Sequence, residues 1–127
     1  MLHISSRCVQ LKLMINQETI DRIIQFRNDR DWAQFHTLKD LSLGLGIEVA
    51  ELQEFFLWKN NQELTETINS KREPIGDELA DVFIFLAYLS NDLGIDLNEA
   101  INRKIDKNDK KYPIEKSKGS NKKYNEI

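Results

Sequence analysis

The sequence predicts an all-α protein, and three observations carry that reading. Leu41, Leu45, Leu52 and Phe55 recur at the spacing of one helical face, with Glu48 occupying a slot in the same stripe. The run from Ile75 to Leu93 stays apolar for longer than a typical strand and is apolar nearly all round after its first turn, which describes a central helix. Thr37-x-x-Asp40 and Asp96-x-x-Glu99 read as capping-box helix starts.

Taken in order, residues 1–15 show no helical period. Met14 is a candidate true start, so His3 and Cys8 fall in a dispensable leader and are not paired as a catalytic dyad. Asn16 is a suitable N-cap for a first helix carrying Ile20, Ile23 and Ile24 and ending near Asn28 to Arg30. The segment from Arg30 to His36 is expected to be a loop. Its Trp32, Phe35 and His36 are of types that more often anchor a core, yet they also supply the stacking faces and hydrogen-bond partners a nucleobase needs.

A second helix is expected from Thr37 to about Trp58 or Lys59. Gly44 and Gly46 inside it each cost about 0.5–1 kcal/mol relative to alanine, which points to a close helix crossing. Residues 60–73 read as a polar linker with room for a short helical piece at 62–68. A third helix should begin near Pro74, a residue suited to a first turn, and end before Gly94. The fourth should run from Asp96 until Pro113 stops it, with Lys104, Asn108 and Lys111 on one face. The domain reading is a leader at 1–15, a helical domain at 16–113 and a basic tail at 114–127.

A chain of 127 residues suits one domain, and no run approaches the roughly 20 apolar residues of a membrane span. Cys8 is the single cysteine, so no intrachain disulfide can form, and a cytoplasmic protein is expected. Neither a nucleic-acid nor a membrane partner is expected. The net charge of −3 hides an asymmetry: residues 103–127 carry nine Lys/Arg against four Asp/Glu, the remainder nine against seventeen. The sequence contains no Gly-rich phosphate loop, Cys/His zinc spacing or Ser-His-Asp set.

Two acidic pairs interrupt the apolar stripes: Glu48-x-x-Glu51 and Glu78-x-x-Asp81. Carboxylates three apart on a helix lie about 5–6 Å from each other at Cβ. At an effective dielectric near 20, two anions about 6 Å apart cost on the order of 3 kcal/mol, more than a structural role tolerates without a neutralising cation. Hard oxygen donors suit Mg²⁺ or Mn²⁺. Any one of these acids alone is better read as a solvated surface group. The doubled spacing on two buried stripes favours a divalent-metal site.

These pairs, followed by Lys104-x-x-x-Asn108-x-x-Lys111-Tyr112-Pro113, resemble the all-α nucleoside triphosphate pyrophosphatases of the MazG-like group. Arg30-Asp31-Trp32-x-Gln34-Phe35-His36, Phe56-x-Trp58-Lys59 and Lys123-Tyr124-x-Glu126 point to its dCTP pyrophosphatase branch, over roughly residues 20 to 126. The resemblance implies an antiparallel four-helix bundle core, a homodimer or homotetramer, and Mg²⁺-dependent hydrolysis of a nucleoside triphosphate to monophosphate and pyrophosphate that clears the nucleotide pool. It implies Glu48, Glu51, Glu78 and Asp81 as metal ligands, with Glu48 or Glu51 as the catalytic base. It places Trp32, His36, Trp58 and Phe85 around base and sugar, and Lys59, Lys104, Asn108, Lys111 and Tyr112 on the phosphate side. Leu38 and Asp40 stand where the family often has proline and asparagine, Ile47 where glycine is frequent and Phe85 where tyrosine is common.

Two rival readings are weaker. A carboxylate-bridged di-iron protein needs Glu-x-x-His pairs, which His3 and His36 do not complete. A helical dimerisation or regulatory module would use the same acids to bind a basic partner, indifferent to Mg²⁺.

Overall fold

The computed structural model describes residues 15–127, so the leader expected at 1–15, with His3, Cys8 and Met14, lies outside the described residues apart from Ile15. Among the described residues there are six α-helices and one 3-10 turn and no strand. No helix of the described residues is long and apolar enough to cross a membrane. The chain divides into two units, one ending at Asp92 and the other running Leu93–Ile127.

In the first unit, α1 spans Gln17–Asp29 and starts where the sequence places it: Asn16 is extended and its side chain accepts from the Thr19 N–H. A 3-10 turn, Trp32–Phe35, follows through Asp31, which adopts a left-handed φ of 53°. Helix α2 spans Leu38–Glu54, and Thr37 Oγ1 accepts from the Asp40 N–H at 3.1 Å. It ends four residues short of Trp58. The chain turns there, and Trp58 takes a φ of 64°, a conformation that no helix continues and that a bulky residue rarely adopts.

The short helical piece expected at 62–68 within the linker is longer, helix α3, Asn61–Ser70, and fills most of that stretch. Asn60 Oδ1 accepts from the Glu63 N–H while Glu63 Oε2 accepts from the Asn60 N–H, a reciprocal cap that starts a helix even in a polar run. Its inner side carries buried Thr67 and half-buried Leu64. Helix α4, Arg72–Leu93, begins two residues before Pro74 and stops at Gly94, whose φ of 65° suits a glycine past a helix end. The second unit holds α5, Leu97–Lys111, capped by Asp96 through the Glu99 N–H, and a short α6, Ile114–Ser117, inside the stretch read as a tail.

Two contacts tie α4 to its neighbours in the first unit. Arg27 of α1 is 4% exposed and donates from both terminal nitrogens to Asp92, each bond 2.8 Å, a bidentate fork between α1 and the end of α4. On α2, Gly44 is a notch for the Phe85 ring: a Cβ built there would stand 2.5 Å from Phe85 Cε1 and 2.8 Å from Cζ. The close approach expected at both glycines holds at Gly44 only, since a Cβ on Gly46 meets nothing within 4 Å. Gly44→Ala should therefore cost about 1–3 kcal/mol by displacing the ring, whereas Gly46→Ala should be neutral or gain about 0.5–1 kcal/mol. Urea midpoints of the two variants check this difference.

Candidate functional site

Helices α2 and α4 each present an acidic pair at the place where Gly44 lets them approach. Glu48, Glu78 and Asp81 converge so that one oxygen from each lies within 4.8 Å of the other two. Glu48 Oε2 and Glu78 Oε2 are buried and have no hydrogen-bond partner. Buried polar atoms are nearly always paired, so two orphaned carboxylate oxygens side by side mark a place built for something that binds oxygen. The fourth acid, Glu51, is exposed at the rim.

The electrostatics follow from this crowding. Burial, with the charges of Glu51, Asp81 and Glu78 behind it, pushes the Glu48 carboxyl up to about 7. Glu78 is raised as well, by burial and then by the charge of Glu51. Left to itself Glu48 keeps its proton up to about neutral pH. A divalent cation would displace it, because carboxylates coordinate in the ionised form. The donor set consists of oxygens only, which fits a hard cation and not zinc or iron–sulfur chemistry.

Two cavities of opposite character meet the cluster. The first, about 390 Å³, is walled by Phe26, Trp32, His36, Ile84, Phe85 and Tyr88, with Thr19, Arg22 and Ile23 beside them, and reaches Asp81. Its rings form a chain: Phe26 to Trp32 at 5.7 Å, Trp32 to His36 at 6.4 Å and His36 to Tyr88 at 5.3 Å between centroids. Burial, and then the Arg27 charge, lowers His36 below the usual imidazole range, so the ring is neutral at pH 7. The second cavity, about 430 Å³, contains Glu51 and Glu78 together with Lys59, Lys71, Thr67 and Ser70. One is aromatic and apolar, the other polar and of mixed charge, with Glu51, Glu54 and Glu78 set against Lys59 and Lys71.

The structure thus brings Trp32, His36 and Phe85 together with Asp81, and Lys59 together with Glu51 and Glu78. It does not bring Trp58 to the aromatic cavity: the side chain is 92% exposed and lines a separate polar hollow with Lys59 and Glu63. Lys104, Asn108, Lys111 and Tyr112 belong to α5 and its C-cap in the second unit. There Lys111 Nζ lies 4.9 Å from the Tyr124 ring centroid, which also meets Tyr112 edge-on at 6.1 Å.

Sequence reasoning missed Phe26, Arg22 and Lys71. Tyr88 carried a signal, being seven residues after Asp81 and three after Phe85 on one helical face. Lys71 carried none, because it reaches the second cavity from the C-cap of α3, beyond the 62–68 piece that the sequence indicates.

Comparison with known proteins gives the same direction from three sides. Residues 44–127 match the model of the MazG-like family. The chain is 39% identical over 105 residues to dCTP pyrophosphatase 1 of Bos taurus and of Homo sapiens, an alignment covering 81% of the chain. It spans 62% of the length of those relatives. A pyrophosphatase of Archaeoglobus fulgidus superposes with a TM-score of 0.73 and 39% identity, over 76% of this chain and 91% of that one.

Proposed function

Because the chain belongs to the MazG-like family, we propose that it is a nucleotide pyrophosphohydrolase, converting a nucleoside triphosphate, dCTP or a related pyrimidine nucleotide, to the monophosphate and pyrophosphate. The observation that carries the reading is the acidic cluster between two unlike cavities, with Asp81 at the edge of one and Glu51 and Glu78 at the edge of the other. A nucleoside triphosphate has that polarity: a flat ring at one end and three phosphates at the other, with the scissile anhydride bond between the first phosphate and the second.

In this reading Trp32, His36, Phe85 and Tyr88 enclose the base, the neutral imidazole offering a hydrogen bond without adding charge. Glu48, Glu78 and Asp81 hold Mg²⁺, for which Mn²⁺ substitutes. When bound, the cation supplies charge neutralisation for the leaving pyrophosphate and acidifies the attacking water. Glu51, on the solvent-facing rim, takes the water's proton on a carboxylate oxygen. Lys59 and Lys71 grip the released phosphates as point charges.

The protomer is proposed to work as a homodimer or homotetramer. Among the described residues only Leu41, Ala87 and Tyr88 are fully buried hydrophobics, while Leu43 and Ile47 on α2 are each 59% exposed and Leu79 on α4 is 53% exposed. Apolar side chains at that density on one chain are the mark of a face that another copy covers.

The test is a panel of deoxy- and ribonucleoside triphosphates assayed for pyrophosphate release. Turnover with Mg²⁺ and none with EDTA is expected, with dCTP or a modified pyrimidine nucleotide among the best substrates. No turnover of any nucleotide with either Mg²⁺ or Mn²⁺ would remove the proposal and favour the regulatory-module reading.

A further inference from the structure

An arginine–carboxylate fork between two helices ordinarily needs no purpose beyond tying them together. The pair at Arg27 and Asp92 has a second relation, to the aromatic cavity. The Arg27 guanidinium lies 4.8 Å from the centroid of the Tyr88 ring. Tyr88, itself 4% exposed, packs at 5.3 Å against His36. Tyr88 and His36 line the cavity, whereas Arg27 and Asp92 stand behind it.

What fixes His36 is the decisive point. A histidine that must present one ring nitrogen to a ligand is normally oriented by a hydrogen bond at the other. Here Nδ1 is buried and has no hydrogen-bond partner. Ring packing must therefore do the orienting, from Trp32 at 6.4 Å and Tyr88 at 5.3 Å. Tyr88 in turn is backed by the guanidinium, which both bonds to Asp92 hold in plane.

We infer that Arg27 and Asp92 are positioning residues for the nucleoside cavity, their ion pair holding Tyr88 and Tyr88 holding His36 at the wall, an inference that rests on the nucleotide reading above. The pair also sets the local field. The groups facing His36 are Arg27 from α1 and Asp92 and Tyr88 from α4; the Arg27 charge presses the imidazole toward its neutral form and the Asp92 charge opposes it.

The experiment compares Arg27→Met, Arg27→Lys and Asp92→Asn with the parent, each first shown to melt cooperatively. Arg27→Met should raise KM for the best nucleotide about tenfold, with kcat changed less than about threefold. Its His36 ring resonance, assigned by loss in His36→Gln, should titrate at higher pH than in the parent. Arg27→Lys keeps the charge without the plane, so it should leave the His36 titration near the parent's and restore part of KM. Asp92→Asn, which keeps Arg27 charged but loosens its seat, should raise KM and spare kcat. It decides the matter if Arg27→Met does not fold. Parent-like KM in folded Arg27→Met and Asp92→Asn, or a loss confined to kcat, would overturn the inference. If the parent turns over no nucleotide, the proposed function fails on its own account, and an unmoved His36 titration in Arg27→Met would then sink the positioning role separately.

Discussion

Asp81→Asn should abolish pyrophosphate release while leaving a protein that folds, and in the absence of metal folds more stably than the parent. Outer-shell partners of metal ligands cost roughly 10–100-fold when removed, so removal of a ligand itself should cost more than about a hundredfold. The stability gain has a separate source. Asp81 is one of the charges that push the Glu48 carboxyl up, and an amide at position 81 removes that repulsion without changing shape. Coupled pyrophosphate detection with Mg²⁺ measures the first effect and thermal melts in EDTA measure the second. Undiminished turnover would show that Asp81 holds nothing the reaction needs.

Trp32→Ala should raise KM for nucleotides about tenfold to a hundredfold, the range expected when a base loses one stacking face worth about 1–3 kcal/mol. Trp32 is 43% exposed, so its removal leaves little of the core disturbed. It is nonetheless held in place: its ring meets Phe26 edge-on, and the Arg30 guanidinium lies 3.7 Å over the Phe26 ring and 5.9 Å from Trp32. That is the construction of a cavity wall, since an aromatic anchor would be buried. Steady-state kinetics with unchanged KM would make the tryptophan structural.

The helix starts were legible because a cap is a local event. Asn16, Thr37 and Asp96 each satisfy an orphan N–H three residues on, and no tertiary context is needed to read that. The Asn60–Glu63 cap has the same form but stands in a run with little apolar period, so the sequence indicates only a short helical piece at 62–68 where α3 fills Asn61–Ser70. The end of α2 was misplaced because Phe55, Phe56, Leu57 and Trp58 extend the apolar pattern, whereas the backbone is turned by a left-handed φ that composition does not announce.

For the site, the doubled i, i+3 acidic spacing was sufficient to locate the cluster, since spacing on a helix is geometry. What the spacing lacked was the distinction among the four acids. Glu48, Glu78 and Asp81 converge, and Glu51 stands at their more exposed side, its charge still raising Glu48 and Glu78. The Arg27–Asp92 pair, with 65 residues between its members, was out of reach of local pattern altogether.

Thermal melts of EDTA-stripped protein between pH 5 and pH 8, with and without Mg²⁺, test the central claim most directly. Below the ordinary carboxylate range Glu48 is protonated in folded and unfolded chains alike, so its burial costs nothing. Its folded value is about 7, so stability is lost as pH rises through that value and the unfolded chain ionises more readily. The melting temperature of the stripped protein should therefore fall from pH 5 to pH 8, and Mg²⁺ should restore it at pH 8 far more than at pH 5. A melting temperature indifferent to both pH and Mg²⁺ would contradict a carboxylate cluster made for a divalent cation.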